Sequence, residues 1–183
     1  DNPYYALPSS QLKEELFYVS ENLPGVKLMF QDPNFAIRCE ETLSLFESLP
    51  PEKRNPYAVE SSLNILRPDR LARLRDTNCV AMTPGIESWS QYSRKAGVGS
   101  AINEEKLVQV VEHFSMMREY IPYLGANFIF GLDHDAGNEP FELTMEFMRR
   151  LPFVWTSLNT PIPFGGTPLY AARLQDGRLL PTL

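Results

Sequence analysis

The chain has 183 residues, of which 43% are apolar and 22% are charged, and its formal net charge is −6. This composition excludes a disordered or fibrous protein, and the length suffices for one buried core. Lysine and arginine are scattered rather than clustered, so no nucleic-acid partner is expected, and no apolar run is long enough to span a membrane.

Apolar residues at helical spacing alternate along the chain with short apolar runs that favour β-strands. The predicted strands are residues 26–31, 57–64, 79–86, 123–132 and 154–160. Six helices are predicted, one before the first strand and one after each of the five strands. In chain order they contain Leu16, Phe46, Pro68, Phe114, Pro140 and Leu169. The helix that Pro140 opens is expected to pack through Phe141, Met145 and Met148.

Strands separated by helices imply parallel pairing with right-handed crossovers, so the predicted fold class is α/β. The predicted strands look apolar on both faces, as in a sheet covered by helices on both sides. This pattern fits a (β/α) barrel, complete or partial, and equally fits an open doubly wound sheet. Residues 1–183 are taken as one domain.

Each predicted strand ends in a polar or glycine-rich cluster, and three of these clusters hold the carboxylates Asp32, Glu60 and Glu87. Ligands bind at the C-terminal edge of the strands in α/β barrels and open sheets alike, so a ligand site is expected there. The same residues also suit local roles, because Asp32 and Asn34 can close a turn and Glu87 can cap a helix.

Taken in order, these clusters resemble the radical S-adenosylmethionine (radical SAM) superfamily, and within it the branch that often carries an N-terminal cobalamin-binding domain. The resemblance spans roughly residues 11 to 180. Its motifs are Asp-Pro-Asn-Phe at 32–35, Glu60, Gly-Ile-Glu-Ser at 85–88, Arg94-Lys95, Phe-Ile-Phe-Gly-Leu-Asp at 128–133, Asp135, the proline-rich segment 161–169 and Arg178.

The resemblance implies a partial (β/α)6 TIM-like barrel, of which this chain supplies strands two to six, with S-adenosylmethionine lying across the C-terminal ends of the strands. In the family, a 4Fe-4S iron-sulfur cluster is held by a Cys-x3-Cys-x2-Cys loop after the first strand. The cluster cleaves S-adenosylmethionine to a 5′-deoxyadenosyl radical, which takes a hydrogen from a small-molecule substrate. Cobalamin-dependent members also act as methyltransferases.

The sequence departs from the family at this cluster loop. It has only two cysteines, Cys39 on a predicted helix and Cys79 at a strand start, which excludes a disulfide framework and an all-cysteine metal site. Both are expected to be free, buried thiols, which favours a cytoplasmic protein.

We therefore expect a fragment of a longer enzyme, inactive by itself, with the first strand and the cluster ligands located before Asp1. Cobalamin, if the enzyme uses it, would bind to a domain outside this chain. Two alternatives stay open. One is an iron-independent barrel enzyme that uses Asp32, Glu60 and Glu87 as acid and base, and the other is a non-catalytic barrel remnant that binds a partner protein.

The resemblance also implies the residues that contact S-adenosylmethionine. Glu87 contacts the ribose, while Glu60 and Ser62 reach the ribose or the carboxylate. Asp32 and Asn34 approach the methionyl amine. The adenine is flanked by the backbone of Phe130, Gly131 and Leu132 and covered by Ile162 and Pro163. No residue of the chain is predicted to bind a metal.

Overall fold

A computed structural model describes residues 7–32, 34–63, 66–89, 104–132, 135 and 137–179. Four residues of the predicted motifs, Pro33, Arg94, Lys95 and Asp133, lie outside these ranges. Within them, no helix is both long enough and apolar enough to cross a membrane.

Five parallel strands form one sheet in sequential order, each separated from the next by helical segments. The strands are β1 Leu28–Met29, β2 Tyr57–Ser61, β3 Cys79–Glu87, β4 Tyr123–Ile129 and β5 Val154–Asn159. The helices are α1 Ser9–Asn22, α2 Cys39–Glu47, α3 Pro68–Asp76, α4 Glu104–Arg118, α5 Glu139–Arg150 and α6 Pro168–Gln175, with 3-10 turns at Phe35–Arg38 and Pro51–Lys53. The predicted α/β class, a parallel sheet with outer helices, is confirmed.

One face of the sheet forms the hydrophobic core with the helices. On β2, alternate residues Tyr57 and Val59 are buried, and the Tyr57 ring stacks on Phe46 of α2 at a centroid distance of 4.3 Å. On β4, Phe128 meets Phe147 of α5 edge-on. Burying each such side chain contributes about 1.5–3 kcal/mol, so this face carries most of the stabilisation of the fold.

The other face is polar, and the prediction of strands that are apolar on both faces is wrong. Alternate residues on this side, including Glu60, Thr83, Asn127 and Ser157, are half-buried and line a cleft. Side chains alternate between the two faces of a strand, so one set builds the core and the other is available to a ligand. The helices therefore cover one side of this sheet with apolar residues, as in the wall of a barrel.

The predicted packing face of α5 is also wrong. The residues expected to face inward are exposed, with Phe141 51%, Met145 49% and Met148 38% accessible. The buried stripe is Pro140, Thr144 and Phe147. The hydroxyl of Thr144 accepts a hydrogen bond from Trp89 Nε1 at 2.9 Å and donates to the Pro140 carbonyl at 2.8 Å, so a polar residue is fully satisfied inside the core.

Four strands are shorter than predicted: β2 ends at Ser61 and β5 at Asn159, three residues and one residue early, and β1 and β4 are also shortened. β1 contains only Leu28 and Met29, although the Phe30 amide still donates to the Ala58 carbonyl at 3.1 Å. β4 ends at Ile129 because Gly131 has a φ of +82°, a conformation that takes the chain out of the sheet.

Candidate functional site

A cleft of about 590 Å³ lies over the C-terminal half of the sheet, and its volume is in the range of small-molecule sites. Its lining contains two carboxylates and no basic side chain among the described residues, so it favours cations and hydroxyl donors. The lining residues are Asn34, Glu60, Ser61, Ser62, Thr83, Gly85, Glu87, Asn127, Ile129, Ser157 and Asn159.

The strand register brings these polar groups into rows. Glu60 of β2 pairs with Thr83 of β3. One row further along, Asn127 of β4 pairs with Gly85 on one side and with Ser157 on the other. Residues in register on neighbouring parallel strands lie on the same face, so four strands contribute to one surface.

Glu87 ends β3 in a strained conformation. Its φ is +62°, in the left-handed region that costs a residue with a Cβ about 1–2 kcal/mol. The register shifts between Gly85 and Glu87, as at a β-bulge, which re-aims the following side chain. The Glu87 carboxylate oxygen Oε1 lies 3.7 Å from the point where a Cβ on Gly85 would stand. Strain of this kind persists where the surrounding structure holds a residue for a function.

Gly125 of β4 makes room for Thr83 in the floor of the cleft. A Cβ on Gly125 would lie 2.7 Å from Thr83 Oγ1 and 2.9 Å from its Cγ2, closer than van der Waals contact allows. The absence of a side chain at Gly125 therefore sets the position of the Thr83 hydroxyl, which lines the cleft.

Asp32 and Asn34 shape the loop after β1. Asp32 Oδ1 accepts from the Asn34 amide at 3.1 Å, and Asn34 Oδ1 accepts from the Ala36 amide at 3.2 Å, capping the turn Phe35–Arg38. Asn34 lines the cleft and Asp32 does not. The three strand-end carboxylates therefore do not gather as a set, since Asp32 is engaged in the turn.

A second cleft, of about 340 Å³, continues from the ends of β4 and β5. Asp135 Oδ2 accepts from the amides of Gly131 and Leu132, at 2.9 and 3.0 Å, so these two donors are already engaged. The lining residues are Gly131, Leu132, Pro161, Pro163, Leu169, Arg173, Arg178 and Leu179.

The structure thus distributes the predicted S-adenosylmethionine contacts over three locations. Asn34, Glu60, Ser62 and Glu87 line the first cleft. Gly131, Leu132 and Pro163 line the second cleft. The side chains in neither lining are Asp32, Phe130, whose ring stacks on Phe141 at 4.6 Å, and Ile162, which is 62% exposed.

Sequence reasoning missed four polar residues of the first cleft: Thr83, Asn127, Ser157 and Asn159. A signal for them exists in the sequence, because they lie at alternate positions of strands whose other residues are mostly apolar. Thr83, Gly85 and Glu87 follow that period along β3, and Ser157 and Asn159 follow it along β5.

The residues of this chain do not fit an iron-sulfur cluster. Cys39 and Cys79 are free and almost fully buried, and burial raises the pKa of both thiols, that of Cys79 to about 12. A metal needs the thiolate, which these surroundings disfavour. Among the described ranges, no group of three or more His, Cys, Asp or Glu side chains is arranged to hold a metal ion.

No protein-family model matches the sequence, and no curated protein matches it significantly. Solved structures do match. SuiB from Streptococcus suis bound to S-adenosylmethionine has 11% identity and a TM-score of 0.56, over 97% of this chain and 41% of that protein. Methylornithine synthase (PylB) has 18% identity and a TM-score of 0.57, over 98% of this chain and 56% of that protein.

A third match is HemN from Escherichia coli, a radical SAM enzyme, with 14% identity and a TM-score of 0.52, over 91% of this chain and 40% of that protein. The chain thus spans 40 to 56% of the length of these three proteins. Such identities establish the fold alone. The chain therefore has the partial (β/α) barrel fold of these proteins, which confirms the predicted radical SAM resemblance at the level of the fold, while the cobalamin-binding branch stays a prediction.

Proposed function

We propose that this chain is the S-adenosylmethionine-binding barrel portion of a radical SAM enzyme that acts on a small molecule. The observation that carries the proposal is the pair of carboxylates, Glu60 and Glu87, in one polar cleft at the C-terminal strand ends of this fold. Carboxylates accept hydrogen bonds from ribose hydroxyls and attract the positive charges of a sulfonium and an ammonium group.

Each residue of the first cleft has a role in this proposal. Glu87 accepts from the ribose hydroxyls, and its bulged, left-handed backbone aims the carboxylate at them. Glu60 shares the ribose, and the Ser62 hydroxyl donates to the methionyl carboxylate. Asn34 lies by the methionyl amine, while Asp32 acts through the turn that positions Asn34.

The adenine is proposed to lie where the first cleft meets the second. The amides of Gly131 and Leu132 are taken by Asp135, so the exocyclic amine of adenine would instead donate to backbone carbonyls at 130–131. Pro163 supplies an apolar surface against the ring, and the exposed Ile162 closes over it. Phe130 contributes through its backbone, since its ring packs against Phe141.

The cluster is proposed to be held by a preceding segment of the same protein, because the residues described here do not fit it. β1 is an edge with one described neighbour, β2, and its other side can pair with a further parallel strand. When bound and reduced, such a cluster would supply the electron that cleaves S-adenosylmethionine. This chain's own part is to bind, orient and shield the cofactor and substrate.

Cobalamin use, methyl transfer and a cytoplasmic location rest on the sequence alone and stay predictions. The iron-independent alternative assigned acid and base roles to Asp32, Glu60 and Glu87, of which Glu60 and Glu87 share the cleft and Asp32 does not line it. A non-catalytic remnant is distinguished from the proposal by cofactor binding.

The test is isothermal titration of the protein with S-adenosylmethionine. Glu87→Gln is expected to weaken binding by about 1–3 kcal/mol, the cost of a lost charge-assisted contact. Glu146→Gln on the outer side of α5, where Glu146 pairs with Arg150, is the matched control and should bind like the parent. Absence of binding, or unchanged affinity in Glu87→Gln, would contradict the proposal.

A further inference from the structure

The two clefts carry side chains of opposite charge in their described linings. The first is lined by Glu60 and Glu87 and by no described basic residue. The second is lined by Arg173 and Arg178 and by no described acidic residue. We infer that the arginine wall of the second cleft is an oxyanion site, which takes the carboxylate or phosphate of a ligand whose body is mainly apolar.

The clefts are neighbours along both strands that build them. At the end of β4, Ile129 lines the first cleft and Gly131 lines the second. At the end of β5, Asn159 lines the first and Pro161 lines the second. A molecule that reacts over the first cleft can therefore extend an acidic group into the second.

The fold brings the two arginines to one wall. Arg173 lies on α6 with its side chain 23% exposed, and its guanidinium Nη1 is 3.1 Å from Asp176 Oδ2. The chain then turns back, and the Arg178 amide donates to the Arg173 carbonyl at 2.9 Å. Asp176 is half-exposed and outside the described lining, and its ion pair orients Arg173.

The rest of the wall determines what kind of oxyanion fits. Pro161, Leu169 and Leu179, which the proposed adenine site does not use, give the lining an apolar floor under a charged rim. Small-molecule sites combine such a floor with a few placed polar groups. A guanidinium binds carboxylate or phosphate through two parallel hydrogen bonds, and an apolar surround strengthens the pairing.

Identifying this ligand as the substrate rests on the proposed function, but binding at the site can be measured without S-adenosylmethionine. The probes are 4-phenylbutyrate, 4-phenylbutyl phosphate and the neutral 4-phenylbutanol, titrated into nitrogen-15 labelled protein. Either oxyanion is expected to shift the amide signals of Leu169 and Leu179 and to bind about tenfold or more tightly than the alcohol. The oxyanion probe with the higher affinity shows whether the site prefers a carboxylate or a phosphate.

Arg178→Gln is expected to weaken binding of the oxyanion probe by about tenfold or more and to leave binding of the alcohol unchanged, whereas Arg178→Lys retains part of the affinity. Arg149→Gln, on an exposed arginine of α5, is the control. Thermal melting of each variant shows that it is folded.

Three results would contradict the proposed oxyanion site. They are an affinity for the alcohol equal to that for the oxyanions, an unchanged oxyanion affinity in Arg178→Gln, and amide shifts confined to residues of the first cleft. S-adenosylmethionine binding is measured in the same variants. If the cofactor binds and neither oxyanion does, this inference fails while the proposed function stands. If an oxyanion binds and the cofactor does not, the proposed function fails while the site stands.

Discussion

The N-terminal and C-terminal ends of the sheet use their polar side chains differently. At the N-terminal end, Arg54 and Asn55 donate to backbone carbonyls of the helix ends and loops that surround the start of β2. At the C-terminal end, Glu60 and Glu87 face a cleft, and Glu87 does so from a strained backbone. In (β/α) barrels the N-terminal end of the strands serves stability and the C-terminal end holds the ligand site, and the polar side chains of this sheet differ between its two ends in the same sense.

Arg54 shows what the stabilising end does. Its guanidinium donates to the carbonyls of Phe46, Glu47 and Leu49 at the end of α2, and to that of Asp76 at the end of α3, at 2.8 to 3.1 Å. The last carbonyls of a helix have no partner within the helix and carry the negative end of its dipole. One cation therefore holds two helix ends against the sheet.

The largest loss of stability is expected for Arg54→Met, which keeps an apolar stem and removes every one of these donors. We expect the free energy of unfolding to fall by about 2–3 kcal/mol, measured by urea denaturation. Arg149→Met, on an exposed arginine, should change it by less than about 0.5 kcal/mol. S-adenosylmethionine affinity of the folded protein should not change, and a loss of affinity without a loss of stability would break the separation between the two ends.

Gly125→Ala is expected to have the next largest effect, because the new Cβ would overlap Thr83. Overpacking of this kind costs about 1–3 kcal/mol. Thr83→Ala in the same chain removes both overlapping atoms and should restore most of the stability, which a double-mutant cycle measures. Equal losses with and without Thr83 would show that the contact is not the cause.

The sequence locates the starts of four strands and misplaces several ends. β2, β3, β4 and β5 begin at the predicted residues, Tyr57, Cys79, Tyr123 and Val154, because turn and helix-stop residues precede each apolar run. Strand ends depend on long-range contacts that periodicity does not contain. β4 stops before Gly131, whose turn is held by Asp135 from further along the chain.

The location of the candidate site was predictable from the sequence, but only some of the residues that line it were. Glu60 and Glu87 lie in one cleft at the predicted edge, since parallel strand ends must meet there. Asn127 escaped prediction because it is a single polar residue between two apolar neighbours, and Ser157 because the adjacent Thr156 interrupts the two-residue period. The buried stripe of α5 was missed because Thr144 is polar, and only the position of the Trp89 indole shows that its hydroxyl is satisfied.

Glu87→Gly should separate strain from binding at the ligand end. Glycine adopts a positive φ without the Cβ penalty, so the free energy of unfolding is expected to rise by about 1 kcal/mol while S-adenosylmethionine affinity falls. Glu87→Gln keeps a Cβ and therefore the strain, so its free energy of unfolding should lie below that of Glu87→Gly. If Glu87→Gly destabilises the protein, the conformation at this position serves the fold rather than the ligand.

The last prediction concerns the ionisation of the buried Cys79 thiol, at the N-terminal start of β3. Its effect on the free energy of unfolding is the smallest at neutral pH and grows at alkaline pH. Desolvation raises its pKa to about 12, with Cys39 adding to the rise. A raised folded-state pKa gives stability that is complete below the unfolded pKa and is lost as pH rises toward the folded one. Stability should therefore fall between about pH 9 and pH 12.

Burial also raises the pKa of Tyr57, so Cys79→Ala should reduce this alkaline slope without abolishing it. Urea denaturation at several pH values measures the slope, and an unchanged slope in Cys79→Ala would mean that the thiol reaches solvent.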